Sequence, residues 1–446
     1  MGHCMSVSRN EKCLGHHLCD RGIYSDGFCA LHLPEDHIKA LSCDDYDALL
    51  VKEIEEAEKG DNGIYTIRWH GLNFPKNHVL FGFRNFETVK DRLADCWINI
   101  EESNIQQILI GPYDIHNLIL SRATIHGDTS IGVTRIDYIG IEKANFLGKF
   151  HCAAKTKTIM ARDAIFNDEF TFGSTIYGLA NFNGSRFHNS CHFYGVDGLL
   201  FGDKADNNFK VAGFDHVIFE KPIQTLFRDV DLHKASFKAV SLVGVRFNNT
   251  DFYQQELNRN GIYNEVKELQ RRVETKRWWF SGKKADKHSI KRNRDLIHEY
   301  RQLRMAMENN KDYVKAHEFY IGEMEARQRH HWSFILALYR FSSYCGTNYV
   351  RAFKVLFSLF VLHFVLTIIS STNLQVQKLF SEPDLVAAWG RLGDIVIHSL
   401  STGTLQRIGL LKDLSGWQNL IDLFFRVFIP IQTAMFVLAL RNKTKR

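Results

Sequence analysis

From Thr225 the sequence divides without remainder into five-residue blocks: TLFRD, VDLHK, ASFKA, VSLVG, VRFNN and TDFYQ. Large apolar residues recur at a spacing of five: Phe227, Leu232, Phe237, Leu242, Phe247 and Phe252. Two positions before each stands a small or β-branched residue: Thr225, Val230, Ala235, Val240, Val245 and Thr250. A helix repeats its buried positions about every 3.6 residues and a half-buried strand every second one, so neither produces this pattern. Self-similarity at a fixed short period marks a solenoid, whose stacked coils share one core that no single coil could form. The composition agrees, with 34 Phe against 6 Pro in 446 residues. Phe this abundant needs a repeated structural use, and Pro this scarce argues against long Pro-rich linkers.

The blocks resemble the pentapeptide-repeat family, whose pattern is A(D/N)Lxx. The resemblance implies a right-handed quadrilateral β-helix in which four pentapeptides make one square turn, with the Leu/Phe and the small residue both pointing inward. Six consecutive blocks match; upstream, Ala144-Asn145-Phe146, Ala180-Asn181-Phe182 and Ser185-Arg186-Phe187 fit, while Phe193 slips by one residue. The match covers 140–253, and 64–140 joins it only through an Ile/Phe-rich short-strand texture, giving a β-helix over 64–255. Some members of the family mimic DNA with a long acidic face. Here residues 120–255 carry 15 Lys/Arg and 14 Asp/Glu, so that field is missing. No carboxylate pair, Ser/His/Asp set or Gly-rich phosphate loop stands out in the coil, and His188, His192, His216 and His233 read as loop or surface residues. An enzyme is not expected.

The chain opens with MGHCMSVSRNEKCLGHHLCD, without the apolar run of a signal peptide, and the expectation is that this end stays in the cytoplasm. Of 9 Cys, four lie within the first 29 residues and a fifth is Cys43, a distribution that suits a reducing compartment and a metal site. Cys4, Cys13, Cys29 and His32 give C-x8-C-x15-C-x2-H in a polar stretch (1–40) too small to build a core. Such a stretch needs a staple, and four Cys/His ligands suit structural Zn2+ with no open catalytic position. Cys19, His16 and His17 compete for the second ligand position. A module of this kind is similar to those that precede pentapeptide repeats in bacterial membrane proteins. Between it and the repeats (41–63), Asp44–Lys59 reads as an acidic helix ended by Gly60-Asp61-Asn62-Gly63.

After Phe252 the composition changes. Residues 259–354 hold 21 Lys/Arg and 11 Asp/Glu, a local excess larger than the +6 of the whole chain. Region 256–345 reads as a basic helical neck: Ser281-Gly282-Lys283-Lys284 breaks a first helix, and a helical hairpin then turns at Asn309-Asn310-Lys311. Leu296, Tyr300, Leu303 and Met307 make one apolar stripe, answered by Tyr313, Ala316, Phe319, Tyr320 and Met324. No groove-reading motif accompanies the charge, so nucleic acid is not an expected partner. Ser333–Tyr344 is expected to lie along a membrane interface.

Region 346–446 reads as a two-span membrane domain. Residues 352–370 and 420–440 are each long enough, at about 1.5 Å rise per residue, to cross a bilayer core about 30 Å thick. Lys354 and His363 interrupt the first span, and Asp422, Arg426 and Gln432 the second. Asp422 and Arg426 stand four apart, so on a helix they share a face and can form an ion pair within the membrane. Arg340, Arg351 and Lys354 crowd the entry to the first span and Arg441, Lys443, Lys445 and Arg446 follow the second, which predicts an inner-membrane protein with both termini cytoplasmic.

Between the spans, the re-entrant segment 385–409 reads as an apolar helix over Leu385–Leu400 followed by Ser401-Thr402-Gly403-Thr404-Leu405-Gln406-Arg407. Span, re-entrant segment, Ser/Thr/Gly turn and span resemble the pore module of two-span cation channels. The potassium signature T-x-G-Y-G is absent, and Leu405-Gln406-Arg407-Ile408-Gly409 stands in its place. Ser401, Thr402, Gly403, Thr404 and Arg407 are the filter-like candidates. The neck, the pore-like loop and the ending LALRNKTKR resemble a bacterial family that joins pentapeptide repeats to a channel-like domain, over roughly 290–446. The expected architecture is a multidomain β + α membrane protein, in contact with lipid and assembled as a homo-oligomer, a tetramer by analogy. Its expected function is ion conduction with a cytoplasmic sensing or interaction domain; the alternative is a membrane-tethered scaffold that binds a protein partner and keeps a vestigial pore.

Overall fold

The computed structural model describes residues 42–60, 63–82, 86–111, 113–132, 134–173, 176–195, 212–256, 259–276, 287–330, 334–346, 348–370 and 416–444, a strand pair within 23–29, and positions 393, 396 and 397. These fall into two units that divide at Asp312.

The first unit is a parallel β-solenoid. Its strands stack into two sheets of 8 strands and one of 6. Register fixes the coil: Ile136 pairs with Thr156 and Thr156 with Ile176, so one coil takes up four blocks of five. On the neighbouring sheet Phe150 pairs with Phe170 at the same spacing, whereas Thr129 pairs with Phe150, one position further along. Most coils therefore take four whole blocks or four blocks with one residue added, and the coil that pairs Cys191 with Thr225 is longer. All twelve key positions of the six blocks, the large residues and the small ones alike, are buried.

Because the coils are in register, like residues stack on like. Phe146, Phe166, Phe187 and Phe219 form one ladder with ring centroids 5.1, 4.9 and 5.4 Å apart. Phe182, Phe214 and Phe237 form another at 5.4 and 5.2 Å, and Phe193, Phe227 and Phe247 a third at 4.7 and 5.3 Å. Such ring pairs contribute about 0.5–1.5 kcal/mol each beyond the area they bury. The slip at Phe193 is in register with its neighbours. Phe166 pairs with Phe187 and Phe172 with Phe193, so the same six-residue step stands in the coil before, and Phe193 still enters the core.

One corner of the coil repeats a left-handed residue: Glu102, Arg122, Lys143, Asp163, Gly184, His216 and Ala239 all have φ between 53° and 75°. Most of these are not glycine, and a left-handed L-residue costs about 1–2 kcal/mol. The turn persists because main-chain bonds to the next coil hold it, as when Arg122 N–H donates to Glu142 O and Lys143 N–H to Arg162 O.

The solenoid extends further upstream than the secure repeat, to Tyr65–Arg68, which pairs with Cys96–Asn99. That first coil is longer than four blocks because it holds an inserted 3-10 turn (Glu87–Val89) and a short helix (Lys90–Leu93). Here Ile98, Ile105, Ile108, Leu118 and Ile125 fill the core in place of Phe.

Both ends of the solenoid are capped, as stacked sheets with open edges require. At the start lies the helix Cys43–Glu56, whose Ser42 side chain accepts the Asp45 N–H at 3.1 Å. It buries Tyr46, Leu50 and Ile54; Tyr46 packs on Phe74, and Asp47 meets buried His78 at 2.7 Å. At the other end the helices Tyr263–Lys276 and Lys287–Asn309 close the last coil. Side chains of the second stand in for a missing next coil: Phe237 N–H donates to Glu299 Oε1 at 3.0 Å and Leu242 N–H to Gln302 Oε1 at 3.3 Å. Just beyond that helix, Asn310 Nδ2 donates to Val245 O at 3.0 Å. The expected stripe Leu296, Tyr300, Leu303 and Met307 is buried.

Four helices of the second unit are described over their length: Tyr313–His330, Phe334–Ser343, Tyr349–Ser370 and Gly416–Thr444. Ala316, Phe319 and Met324 are buried as expected, whereas Tyr313 is exposed. The helix Phe334–Ser343 coincides with the segment expected at a membrane interface, with Arg340 and Phe341 exposed and Ser342 and Ser343 buried.

Candidate functional site

The last two helices are long and apolar enough to cross a membrane over Tyr349–Thr367 and Leu420–Arg441. Only 17% and 22% of their apolar windows is buried, so they are not core helices of this unit. Phe353, Phe357, Val361, Leu362, Val365 and Ile369 on the first, and Leu420, Leu423, Phe424, Val427 and Ile431 on the second, face outward. Apolar surface of this extent needs lipid or protein to cover it.

The contact between the two helices is centred on Leu356, Phe425 and Ile429, with Leu359, Phe360 and Phe436 packed against them. The polar residues that interrupt the spans sort themselves on this contact. His363, Asp422 and Gln432 are buried in it, Lys354 is exposed and Arg426 is half-buried. His363 Nε2 lies 3.0 Å from Asp422 Oδ1, and the Phe425 ring meets the imidazole edge-on at 4.9 Å. Gln432 Nε2 donates to Ala352 O at 2.9 Å, which ties the second helix to the start of the first. Ser342 Oγ contacts Met435 Sδ at 2.9 Å and joins the short helix to the pair.

Helical spacing had coupled Asp422 with Arg426. The geometry gives Asp422 a partner on the other helix, His363, which the sequence marked only as an interruption. The i, i+4 rule sees one helix at a time, so a cross-helix pair has no signal in it. Arg426 Nε is buried without a hydrogen-bond partner among the described residues. Pro430, one turn on, lacks an N–H and so leaves the Arg426 carbonyl without its helical donor. A carboxylate, an imidazole, a guanidinium and a main-chain acceptor thus gather along about two turns of an otherwise apolar helix pair.

The filter-like residues Ser401, Thr402, Gly403, Thr404 and Arg407 lie outside the described residues, as do Cys4, Cys13 and His32 of the Cys/His head. Cys29 ends the second strand of an antiparallel pair, Ile23–Ser25 with Phe28–Cys29. Among the described residues no group of three or more His, Cys, Asp or Glu is arranged to hold a metal ion. Three of the four solenoid histidines singled out lie beside carboxylates: His188 is 2.8 Å from Glu220, His192 is 4.0 Å from Glu169, and His233 contacts Asp231. Cys96 and Cys152 belong to the core, and burial pushes both thiols up to about 12, far from reactive thiolates.

Comparison of the chain with protein-family models, with curated proteins and with solved structures returns no match.

Proposed function

We propose that the chain is an ion-conducting inner-membrane protein whose two-span domains assemble around a shared path, with the β-solenoid carried in the cytoplasm as a sensing or interaction domain. The observation that carries this reading is the buried His363–Asp422 pair, with Arg426 beside it, between two helices whose outer faces are apolar. Ionisable groups inside a span cost about 2.5–3.5 kcal/mol each on insertion scales and mark ion or proton pathways. One two-span chain cannot surround a pore, so conduction requires several copies, four by analogy with the two-span channels that 385–409 resembles. In this reading Ser401, Thr402, Gly403, Thr404 and Arg407 form the constriction, where the Arg407 charge disfavours cations. Full-length protein purified in mild detergent and reconstituted into liposomes should release a trapped ion, and Arg407→Gln should change which ion passes. Liposomes that stay sealed with correctly inserted protein would overturn conduction.

The second reading is a membrane-tethered scaffold whose solenoid binds a protein partner. It is favoured by the way Asp422 and His363 turn into the contact between the spans of one chain, where they fasten helices to each other. The polar head adds a structural zinc in either case, held by Cys4, Cys29 and His32 with Cys13 as the fourth ligand. Metal analysis of the full chain should find about one zinc per chain, as a closed four-ligand site requires. Full zinc retention in Cys29→Ala would reject this ligand set.

A further inference from the structure

We propose that Glu299 is a proton-operated clasp: with its carboxyl protonated it holds the helix Lys287–Asn309 firmly on the last coil of the solenoid, and on losing the proton it loosens that hold. The position is what makes this so. Glu299 is 2% exposed and occupies the place where a further coil would have accepted the Phe237 N–H. Asn264 Nδ2 donates to its Oε1 and Oε2 at 3.0 and 2.9 Å, so one carboxyl joins the coil to both capping helices.

The charged neighbours do not neutralise it. From the coil come Asp215 and Lys238, from the helix Tyr263–Lys276 come Lys267 and Glu268, and from its own helix Arg292 and Asp295. Arg292 is taken by Glu268, with Nε 3.2 Å from Oε2. Among the described residues no cation forms an ion pair with Glu299. Burial pushes the carboxyl up to about 7, Asp215 adds to the rise, and the hydrogen bonds from Asn264 and the Phe237 N–H together with Lys238 pull the other way. A cavity of about 50 Å3 beside Lys238, Asn264, Glu268 and Glu299 gives protons and water access to the group.

The direction follows from linkage. A released helix would return Glu299 to its ordinary value of 4.5, against about 7 when docked. Between those values the docked form holds a proton that the released form lacks, so docking strengthens as pH falls, about tenfold per pH unit. Above about pH 7 the group is ionised in both forms and the dependence ends. Near-neutral pH therefore sits at the edge of the transition, and acidification tightens the clasp. The chain leaves it through the turn at Lys311 and enters the helices that lead to the apolar spans. This control is separate from conduction and holds whether the spans conduct or only anchor.

Hydrogen exchange on the full chain in mild detergent tests it, read at the Phe237 and Leu242 amides and corrected for the intrinsic pH dependence of exchange. Opening of the cap exposes both amides. Their protection should fall about tenfold per unit as pH rises towards about 7 and then level off, while Glu299→Gln, which keeps an acceptor for Phe237, should give a flat profile. A flat wild-type profile, or the same slope in the variant, would overturn the clasp. Should the variant fail to fold, infrared titration of the wild-type chain decides. A buried carboxyl holding its proton to near neutrality is expected, and complete ionisation of all carboxyls by about pH 5.5 would overturn the proposal.

Discussion

Phe170→Ala is expected to destabilise the solenoid by about 3–5 kcal/mol, the range for emptying an aromatic site in a packed core. Phe170 stacks on Phe150 at 5.2 Å and also touches Phe166, Phe172, Phe182, Phe187 and Phe193 with ring centroids 4.6–6.3 Å away. The coils above and below are tied at fixed register through His151, Thr171 and His192, so they cannot close over the cavity left behind. The next residue, Thr171, faces outward, and Thr171→Ala should change stability by less than about 0.5 kcal/mol. Chemical denaturation of the full chain in mild detergent compares the two. Equal shifts would mean that the coil phase is wrong.

Asp422→Leu should cost the two-span unit about 1–3 kcal/mol, because it leaves His363 buried without the carboxylate it contacts. His363→Leu should be damaging for the reciprocal reason. The double variant His363→Leu/Asp422→Leu removes both polar groups and fills the space with apolar atoms, and it should recover most of the loss. Thermal unfolding of the four proteins closes the cycle. Single variants that unfold like the wild type, or a double variant as damaged as the sum of the singles, would show that the two residues do not act as a pair.

The period-five pattern was legible where the coil keeps four whole blocks, as from Phe227 to Phe247. It faded upstream for two physical reasons. Coils with one added residue, such as the one that pairs Ile108 with Thr129, shift the count, and the first coil carries an insertion. Ile also takes the inward positions there that Phe fills later. The cap helix was legible as the acidic stretch Asp44–Lys59, of which the structure makes helix over Cys43–Glu56, but not as a cap. Its partners Phe74 and His78 are remote in sequence and have no periodic relation to it. Leu296, Tyr300, Leu303 and Met307 announced themselves by spacing, whereas Glu299 and Gln302 read as ordinary polar helix residues. Only the unfilled edge of the last coil gives them work. His363 was visible as a flaw in an apolar run; what it meets could come only from the packing of one span against the other.

Conduction as proposed needs several copies of the two-span unit assembled in one membrane. Counting the copies of full-length protein in lipid nanodiscs, on the same preparation used for liposome flux, tests it most directly. A single assembly of four chains whose liposomes pass ions is expected. A monomer in lipid whose liposomes remain sealed would contradict it.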